Sequence, residues 1–203
     1  MRFLIIDTKS CNIFKYKNLF TKLGLEFEII TKPKITTKND FLILPGVGNF
    51  GFFVRSIEKN DLKNMILNHT KHNFFLLGIC VGMQYLFKSS EEDISAKGLD
   101  LIKGNVKKIT LTKKIPIIGN YKILPSEDNK YDYIDKNNKF FFAHSYYCQI
   151  NQKTDTCYYN NINSFNYLSS FRIGNIIGAQ FHPELSDKNG IKFFKNISKL
   201  KCE

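Results

Sequence analysis

In Phe74-Phe75-Leu76-Leu77-Gly78-Ile79-Cys80-Val81-Gly82-Met83-Gln84-Tyr85-Leu86-Phe87, an unbroken apolar run passes through two closely spaced glycines into a segment of helical composition. An apolar run without polar alternation fits a strand covered on both faces, as in a parallel sheet. The Gly-x-Cys-x-Gly turn that follows has the composition of a nucleophile elbow. Small residues at positions 78 and 82 permit a tight strand-to-helix bend that leaves the side chain at its tip accessible. Cys80 occupies that tip. A helix starting beyond it directs a positive field at the thiol and favours the thiolate, and the Val81 amide stands where an oxyanion donor is required. The competing structural reading is a buried cysteine in a glycine turn, a common setting for a free thiol.

Working outward, short apolar runs alternate with helical patterns through the first half of the chain, the signature of βαβ units around a parallel sheet. Strands are predicted at Phe3–Ile6, Phe27–Ile30, Phe41–Leu44 and Phe74–Leu77. Between the first two, Ile13, Tyr16, Leu19, Phe20 and Leu23 recur at helical spacing with Gly24 as a stop, which predicts a crossover helix. A second helical region covers Phe53–His69, and a third begins just after Gly82. From Gly104 onward the texture becomes strand-like, with runs at Val106–Leu111, Ile115–Ile118, Lys139–Ala143 and Tyr146–Ile150 that suit antiparallel pairing. Ile176–Phe181 returns to buried-strand composition and Ile191–Leu200 reads as a closing helix. Ser126–Asn138 reads as an exposed polar excursion, and no internal repeat is visible.

Two further segments carry chemistry. Gly178-Ala179-Gln180-Phe181-His182-Pro183-Glu184 places a histidine at the end of the late apolar strand. At a strand tip His182 can serve as general base beside a thiol, and Glu184, two residues on, can hold the imidazole through its other nitrogen. Leu44-Pro45-Gly46-Val47-Gly48-Asn49-Phe50 follows a strand directly. Its glycines permit close backbone approach, suiting a phosphate-cradling loop or an oxyanion loop, but it lacks the Gly-Lys-Ser/Thr ending of a nucleotide-binding P-loop. His69 and His72 lie in a polar helical stretch and read as structural or surface residues, while His144 sits at a strand boundary and suits either role.

Composition bounds the rest. A chain of 203 residues with 43% hydrophobic and 14% aromatic content fills one substantial core, and a single domain over residues 1–203 is expected. No run approaches the ~18 apolar residues of a membrane span, and the N-terminus enters a strand without an export signal, so a cytoplasmic protein is expected. The five cysteines form no CxxC pair, which leaves no zinc or redox motif. The net charge of +12 invites a nucleic-acid reading, yet only Arg2, Arg55 and Arg172 are arginines and the lysines are scattered. Biased composition on a solvated surface is the reading adopted.

Together, Pro45-Gly46-Val47-Gly48, Gly78-Ile79-Cys80-Val81-Gly82-Met83-Gln84, Ala143-His144-Ser145-Tyr146 and Gln180-Phe181-His182-Pro183-Glu184 resemble, in this order, the class I glutamine amidotransferases. Within that class they resemble the HisH family of glutaminase subunits of imidazole glycerol phosphate synthase, from Ile5-Ile6-Asp7 to the closing helix. The resemblance implies an α/β, flavodoxin-like class I amidotransferase fold with a central mixed, largely parallel sheet flanked by helices. It implies a catalytic Cys80, His182 and Glu184 that cleave L-glutamine through a thioester, and an oxyanion hole from the Val47 and Val81 amides. Gly48, Gln84, His144, Ser145 and Tyr146 would bind glutamine. No cofactor or metal is implied. The implied partner is a TIM-barrel cyclase subunit, HisF, which receives the ammonia in a heterodimer and makes imidazole glycerol phosphate and AICAR in histidine biosynthesis; no nucleic acid or membrane is involved. Three positions depart from the family pattern: Asp7-Thr8-Lys9 stands for Asp-Tyr-Gly, Gly119-Asn120-Tyr121 for Gly-Trp-Asn, and Leu185 for a basic residue after the glutamate. By resemblance the last two face the cyclase. They leave open a paralogue feeding ammonia to a different synthase; a catalytically silent binding module is the reading the intact Cys-His-Glu set argues against.

Overall fold

Apolar runs distant in sequence become neighbours in the middle of one sheet. The computed structural model describes residues 1–110, 115–135, 138–162 and 164–200. Its first half runs β1 (Arg2–Ile6), α1 (Ile13–Leu23), β2 (Phe27–Ile30), β3 (Asp40–Gly46), α2 (Phe50–Lys59), α3 (Leu62–Lys71), β4 (Leu76–Cys80) and α4 (Val81–Gln84). The second half runs β5 (Gly104–Lys108), β6 (Ile117–Lys122), β7 (Leu124–Pro125), β8 (Lys139–His144), β9 (Tyr146–Ile150), β10 (Thr156–Ile162), β11 (Phe165–Ile173) and β12 (Ile176–Ala179). A 3-10 turn at Pro183–Leu185 and α5 (Asp187–Ile197) close it.

The main sheet has eight strands in the order β2-β1-β3-β4-β12-β11-β10-β7. Pairing is parallel from β2 through β12 and antiparallel from β12 to β7, so the sheet is mixed as the resemblance implies. Two small antiparallel sheets, β5–β9 and β6–β8, pack beside it. β1, β3 and β4 are buried almost end to end, which explains their unbroken apolar sequences. On one face, Phe20 of α1 meets Phe3 edge-on at 5.1 Å and Phe194 of α5 at 4.9 Å, so first and last helices share a core with β1.

One consequence of the strand order positions everything that follows. β3, β4 and β12 are consecutive parallel neighbours, with Gly46 opposite Cys80 and Gly178 opposite Gly78. Their carboxyl ends therefore lie along one edge, where α/β sheets bind ligands. The three segments singled out in the sequence are the continuations of these three strands.

Several elements differ from their sequence reading. The helix predicted over Phe53–His69 is two helices, because Asp61 adopts a left-handed backbone (φ 55°) and the Asn60 side chain bonds back to the Ser56 carbonyl. The strand expected at Val106–Leu111 begins earlier and ends sooner, at Gly104–Lys108, and Leu111 lies outside the described residues. The strand expected at Ile115–Ile118 instead runs through Gly119, Asn120 and Tyr121, since pairing with β8 overrides their turn-like composition. The excursion Ser126–Asn138 is not wholly exposed: Tyr133 and Ile134 are buried, and the Tyr133 hydroxyl bonds Ser170 at 2.9 Å; residues 136–137 lie outside the described residues. β10 and β11 have no counterpart in the sequence reading, because their asparagines, serines and tyrosines hide two long sheet strands. The closing helix starts a turn earlier than predicted, with Gly190 inside it against the Pro183 carbonyl. Among the described residues no helix is long and apolar enough to cross a membrane.

Candidate active site

The bend at Cys80 is built by close packing behind it. Cys80 itself adopts φ 53° and ψ −111°, a conformation that costs a non-glycine residue about 1–3 kcal/mol and persists only where the surroundings enforce it. Enforcement comes from Gly82: a Cβ there would sit 1.8 Å from the Leu44 carbonyl oxygen of β3. The chain can turn this tightly only without a side chain at 82. The helix beyond the bend is shorter than the sequence suggests, a single turn over Val81–Gln84. The local field at Cys80 thus comes from the few free amides of that turn and not from a long helix axis. The Val81 amide, at the first helical position, has no acceptor within the helix.

His182 reaches the same point from β12. Its backbone amide donates to the Phe141 carbonyl (2.8 Å), and its carbonyl accepts from the Ser186 hydroxyl (2.6 Å), so the residue is fixed on both sides. Pro183 starts a 3-10 turn that folds Glu184 back under the ring, where Oε1 lies 2.8 Å from His182 Nδ1. Cys80 is the other polar neighbour of the ring. Both side chains of the ion pair are almost wholly buried, at 2% and 5% exposure, so it lies out of reach of solvent screening. Burial by itself lowers the imidazole pKa. The charge and hydrogen bond of Cys80, followed by those of Glu184, outweigh it and raise His182 above its ordinary value. The arrangement favours the imidazolium form of His182 beside the Cys80 sulfur, with the Glu184 carboxylate behind the cation. Tyr16 of α1, fully buried, neighbours that carboxylate; burial and then the Glu184 charge push its phenol well up.

A cleft of about 410 Å³ opens over Cys80, bordered by Val47, Gly48, Asn49, Val81, Gln84, Glu92, Pro116 and the Ala143–Tyr146 segment. This volume suits a small polar metabolite. The cleft brings together every residue the sequence reading placed near a ligand: Gly48, Gln84, His144, Ser145 and Tyr146. Gln84 Nε2 donates to the Tyr146 carbonyl and to Gln180 Oε1, each at 3.4 Å. His144 Nδ1 also donates to the Tyr146 carbonyl (2.8 Å), which leaves Nε2 as a buried acceptor without a partner among the described residues. Burial holds His144 in the neutral form, its pKa brought down to about 4 against the weaker opposing effect of that hydrogen bond.

One expected donor points elsewhere. The Val47 N–H donates to the Ser10 carbonyl at 2.8 Å, so in this conformation it is not directed at Cys80. Turning it means rotating the Gly46–Val47 peptide through ψ of Gly46 and φ of Val47; Gly48, next in the chain, sits at φ 96° and the described residues leave open space around it. Ser10 follows directly on the atypical Asp7-Thr8-Lys9, where Lys9 Nζ pairs with Asp7 at 2.8 Å.

Two residues of the site went unassigned in the sequence. Glu92 borders the cleft, and its Oε2 accepts the Phe50 N–H at 2.7 Å; nothing local distinguishes it from Glu91. Gln180 donates to Cys80 Sγ at 3.7 Å, and its place two residues before His182 on a strand tip was the available signal. His69 and His72 stay outside the site: His69 is buried on α3, bonded to the Phe75 carbonyl at 2.8 Å.

The model of the family described as glutamine amidotransferase class-I matches residues 4–198. The chain is 33% identical over 202 residues to the imidazole glycerol phosphate synthase subunit HisH of Sulfurimonas denitrificans, covering 97% of both. It is 36% identical over 203 residues to subunit HisH 2 of Methanococcus maripaludis, covering 96% of this chain and 98% of that one. The chain belongs to the HisH family of class-I glutamine amidotransferases. Solved structures agree on the fold: PurLQS from Thermotoga maritima superposes with a TM-score of 0.74 at 17% identity, over 97% of each chain. For a HisH-family chain the two remaining departures lie close to the site. Asn120 is on β6, whose partner strand β8 bridges through Phe141 to His182, and Leu185 is the partly exposed last residue of the 3-10 turn.

Proposed function

We propose that this glutamine amidotransferase is the glutaminase subunit of an imidazole glycerol phosphate synthase. In this reading Cys80 cleaves L-glutamine and the ammonia passes to a cyclase subunit of the HisF type. The observation that carries it is the meeting of Cys80 with a buried His182–Glu184 pair on the floor of a small cleft, delivered by adjacent parallel strands.

The chemistry follows from the contacts. The Cys80 thiolate attacks the side-chain carboxamide carbon, and the resulting oxyanion is met by the Val81 amide and, once turned, by the Val47 amide. His182, already protonated, gives its proton to the departing nitrogen, which leaves as ammonia and a thioester remains. The neutral imidazole then takes a proton from water as it attacks the thioester, and collapse releases glutamate and the thiolate. Glu184 keeps Nδ1 protonated throughout and balances the imidazolium charge. Gly48, Gln84, Ser145 and Tyr146 hold the amino-acid end of glutamine, His144 Nε2 offers an acceptor, and the Glu92 carboxylate is the counter-charge for the α-ammonium. The cyclase partner consumes ammonia in forming imidazole glycerol phosphate and AICAR. Production without a consumer is wasteful, and the Val47 amide held by Ser10 is the element that keeps the free chain slow.

The test is steady-state glutamate release by the chain alone, with its own cyclase, and with cyclase plus nucleotide substrate, beside Cys80→Ser. One missing oxyanion donor is worth about 100- to 1000-fold in rate, so activation of at least about 100-fold is expected, and none with Cys80→Ser. Wild-type turnover by Cys80→Ser, or full turnover by the lone chain, overturns the assignment or the gating respectively.

A further inference from the structure

We infer that Gln180 is a positioning residue for the nucleophile: its carboxamide donates N–H to the Cys80 sulfur while its oxygen anchors the Gln84 amide at the cleft wall. The inference rests on the reading of Cys80 as nucleophile. Gln180 is fully buried on the strand continuation beside Cys80, its own backbone amide tied to the Ser169 carbonyl at 2.8 Å. Burying an uncharged amide in a phenylalanine-rich core costs free energy unless its polar atoms are paired. Here the pairing is with the site itself: Nε2 to Cys80 Sγ at 3.7 Å and Oε1 to Gln84 Nε2 at 3.4 Å.

The direction of this relay is fixed by groups that cannot be turned round. The Tyr146 backbone carbonyl can only accept, and it faces Gln84, so the Gln84 atom directed there is its nitrogen. That same nitrogen faces Gln180, so Gln180 presents its oxygen to Gln84 and its N–H to the sulfur. The order is Tyr146 carbonyl, Gln84 amide, Gln180 amide, Cys80 sulfur. An N–H aimed at sulfur stabilises the anion more than the thiol, because the hydrogen bond strengthens with the acceptor's charge. Gln180 thus acts on the same atom as His182 but transfers no proton, and it links the thiol to a wall residue of the glutamine cleft. A substrate that engages Gln84 tightens the chain that ends on the nucleophile.

Alkylation of Cys80 by iodoacetamide, followed by mass spectrometry as a function of pH, reads the thiol directly and needs no turnover. Gln180→Met keeps length and removes the donor; Gln180→Glu keeps shape and puts a carboxylate against the sulfur. The half-alkylation pH is expected to rise by about one unit in Gln180→Met, and by more in Gln180→Glu. In the complex with cyclase, Gln180→Met should lower kcat with the thiolate fraction and raise KM through the freed Gln84. Gln84→Met, which leaves Gln180 in place but removes what sets its direction, should give a smaller shift of the same sign. Profiles that superimpose for wild type and Gln180→Met, with unchanged melting temperature, overturn the inference, as does a drop in kcat that a more alkaline assay does not recover. If Gln180→Met does not fold, the Gln84→Met profile decides alone: no shift overturns the relay. Failure of the nucleophile reading is seen separately, as glutamine hydrolysis by Cys80→Ser.

Discussion

Replacing Gly82 by alanine inserts one methyl group where β3 and the elbow touch. The added Cβ would lie 1.8 Å from the Leu44 carbonyl oxygen and 2.8 Å from its carbon, both backbone atoms that no rotamer change can move. Relief requires the two backbones to part by about 1 Å or more, in an interior packed as densely as an organic crystal. Overpacking of this kind costs about 3 kcal/mol, which in a chain of this size lowers the melting temperature by about 6–12 °C. The activity effect should be larger in proportion. Leu44 leads through Gly46, which pairs with Cys80, to the Val47 loop, so the shift moves the nucleophile against the oxyanion donors. A misplacement of about 1 Å reduces the rate by about 100-fold. Gly24→Ala is the control: it has φ 63° and open space around the added methyl, so it should cost about 1 kcal/mol in backbone strain and leave the rate unchanged. The assays are thermal melting of the free chain and glutamate release in the presence of cyclase. A Gly82→Ala variant that melts with wild type and hydrolyses glutamine within a few-fold of it refutes the account of the elbow.

His182→Ala should be nearly inactive, whereas Glu184→Gln retains a hydrogen-bonding partner for Nδ1 and should lose less; because the residues act as one unit, the double variant should lose less than the two losses combined, and strict additivity would count against Glu184 as the orienting group. Since Cys80 supplies the largest upward effect on His182, NMR titration should find that imidazole protonated at neutral pH in wild type and titrating at lower pH in Cys80→Ala; an unchanged titration would mean that the pair is not coupled. The sign for stability follows from the raised value: the His182 contribution is complete below the ordinary histidine pKa of about 6.5 and is lost as pH rises through about 10. Chemical denaturation should therefore show an alkaline loss of stability that Cys80→Ala lacks. Finally, with Leu185 and Asn120 on the side expected to face the partner, a cyclase adapted to a basic residue after the glutamate should activate this chain less than its own does; equal activation in glutamate release would place both residues outside the interface.

The sequence by itself determined the parts whose causes are local. Gly78-x-Cys80-x-Gly82 reads as a bend because only glycine fits so tight a turn, and His182-Pro183-Glu184 reads as base and orienter because two residues of a proline-started turn suffice to fold a carboxylate under its histidine. The buried parallel strands were legible for the same reason, as runs with no polar face to show. What only the tertiary structure decided involves partners far apart in the chain. Nothing near Cys80 states that β12 hydrogen-bonds beside β4, yet that register brings His182 and Gln180 to the thiol. β10 and β11 were hidden because asparagines, serines and tyrosines interrupt their apolar residues and blur the strand pattern, and only the fold shows where those groups lie, as Ser170 meets Tyr133. The direction of the Val47 amide, fixed by a carbonyl at Ser10, and the polarity of the Gln84–Gln180 relay, fixed by one at Tyr146, are set by backbone groups, which carry no sequence signature.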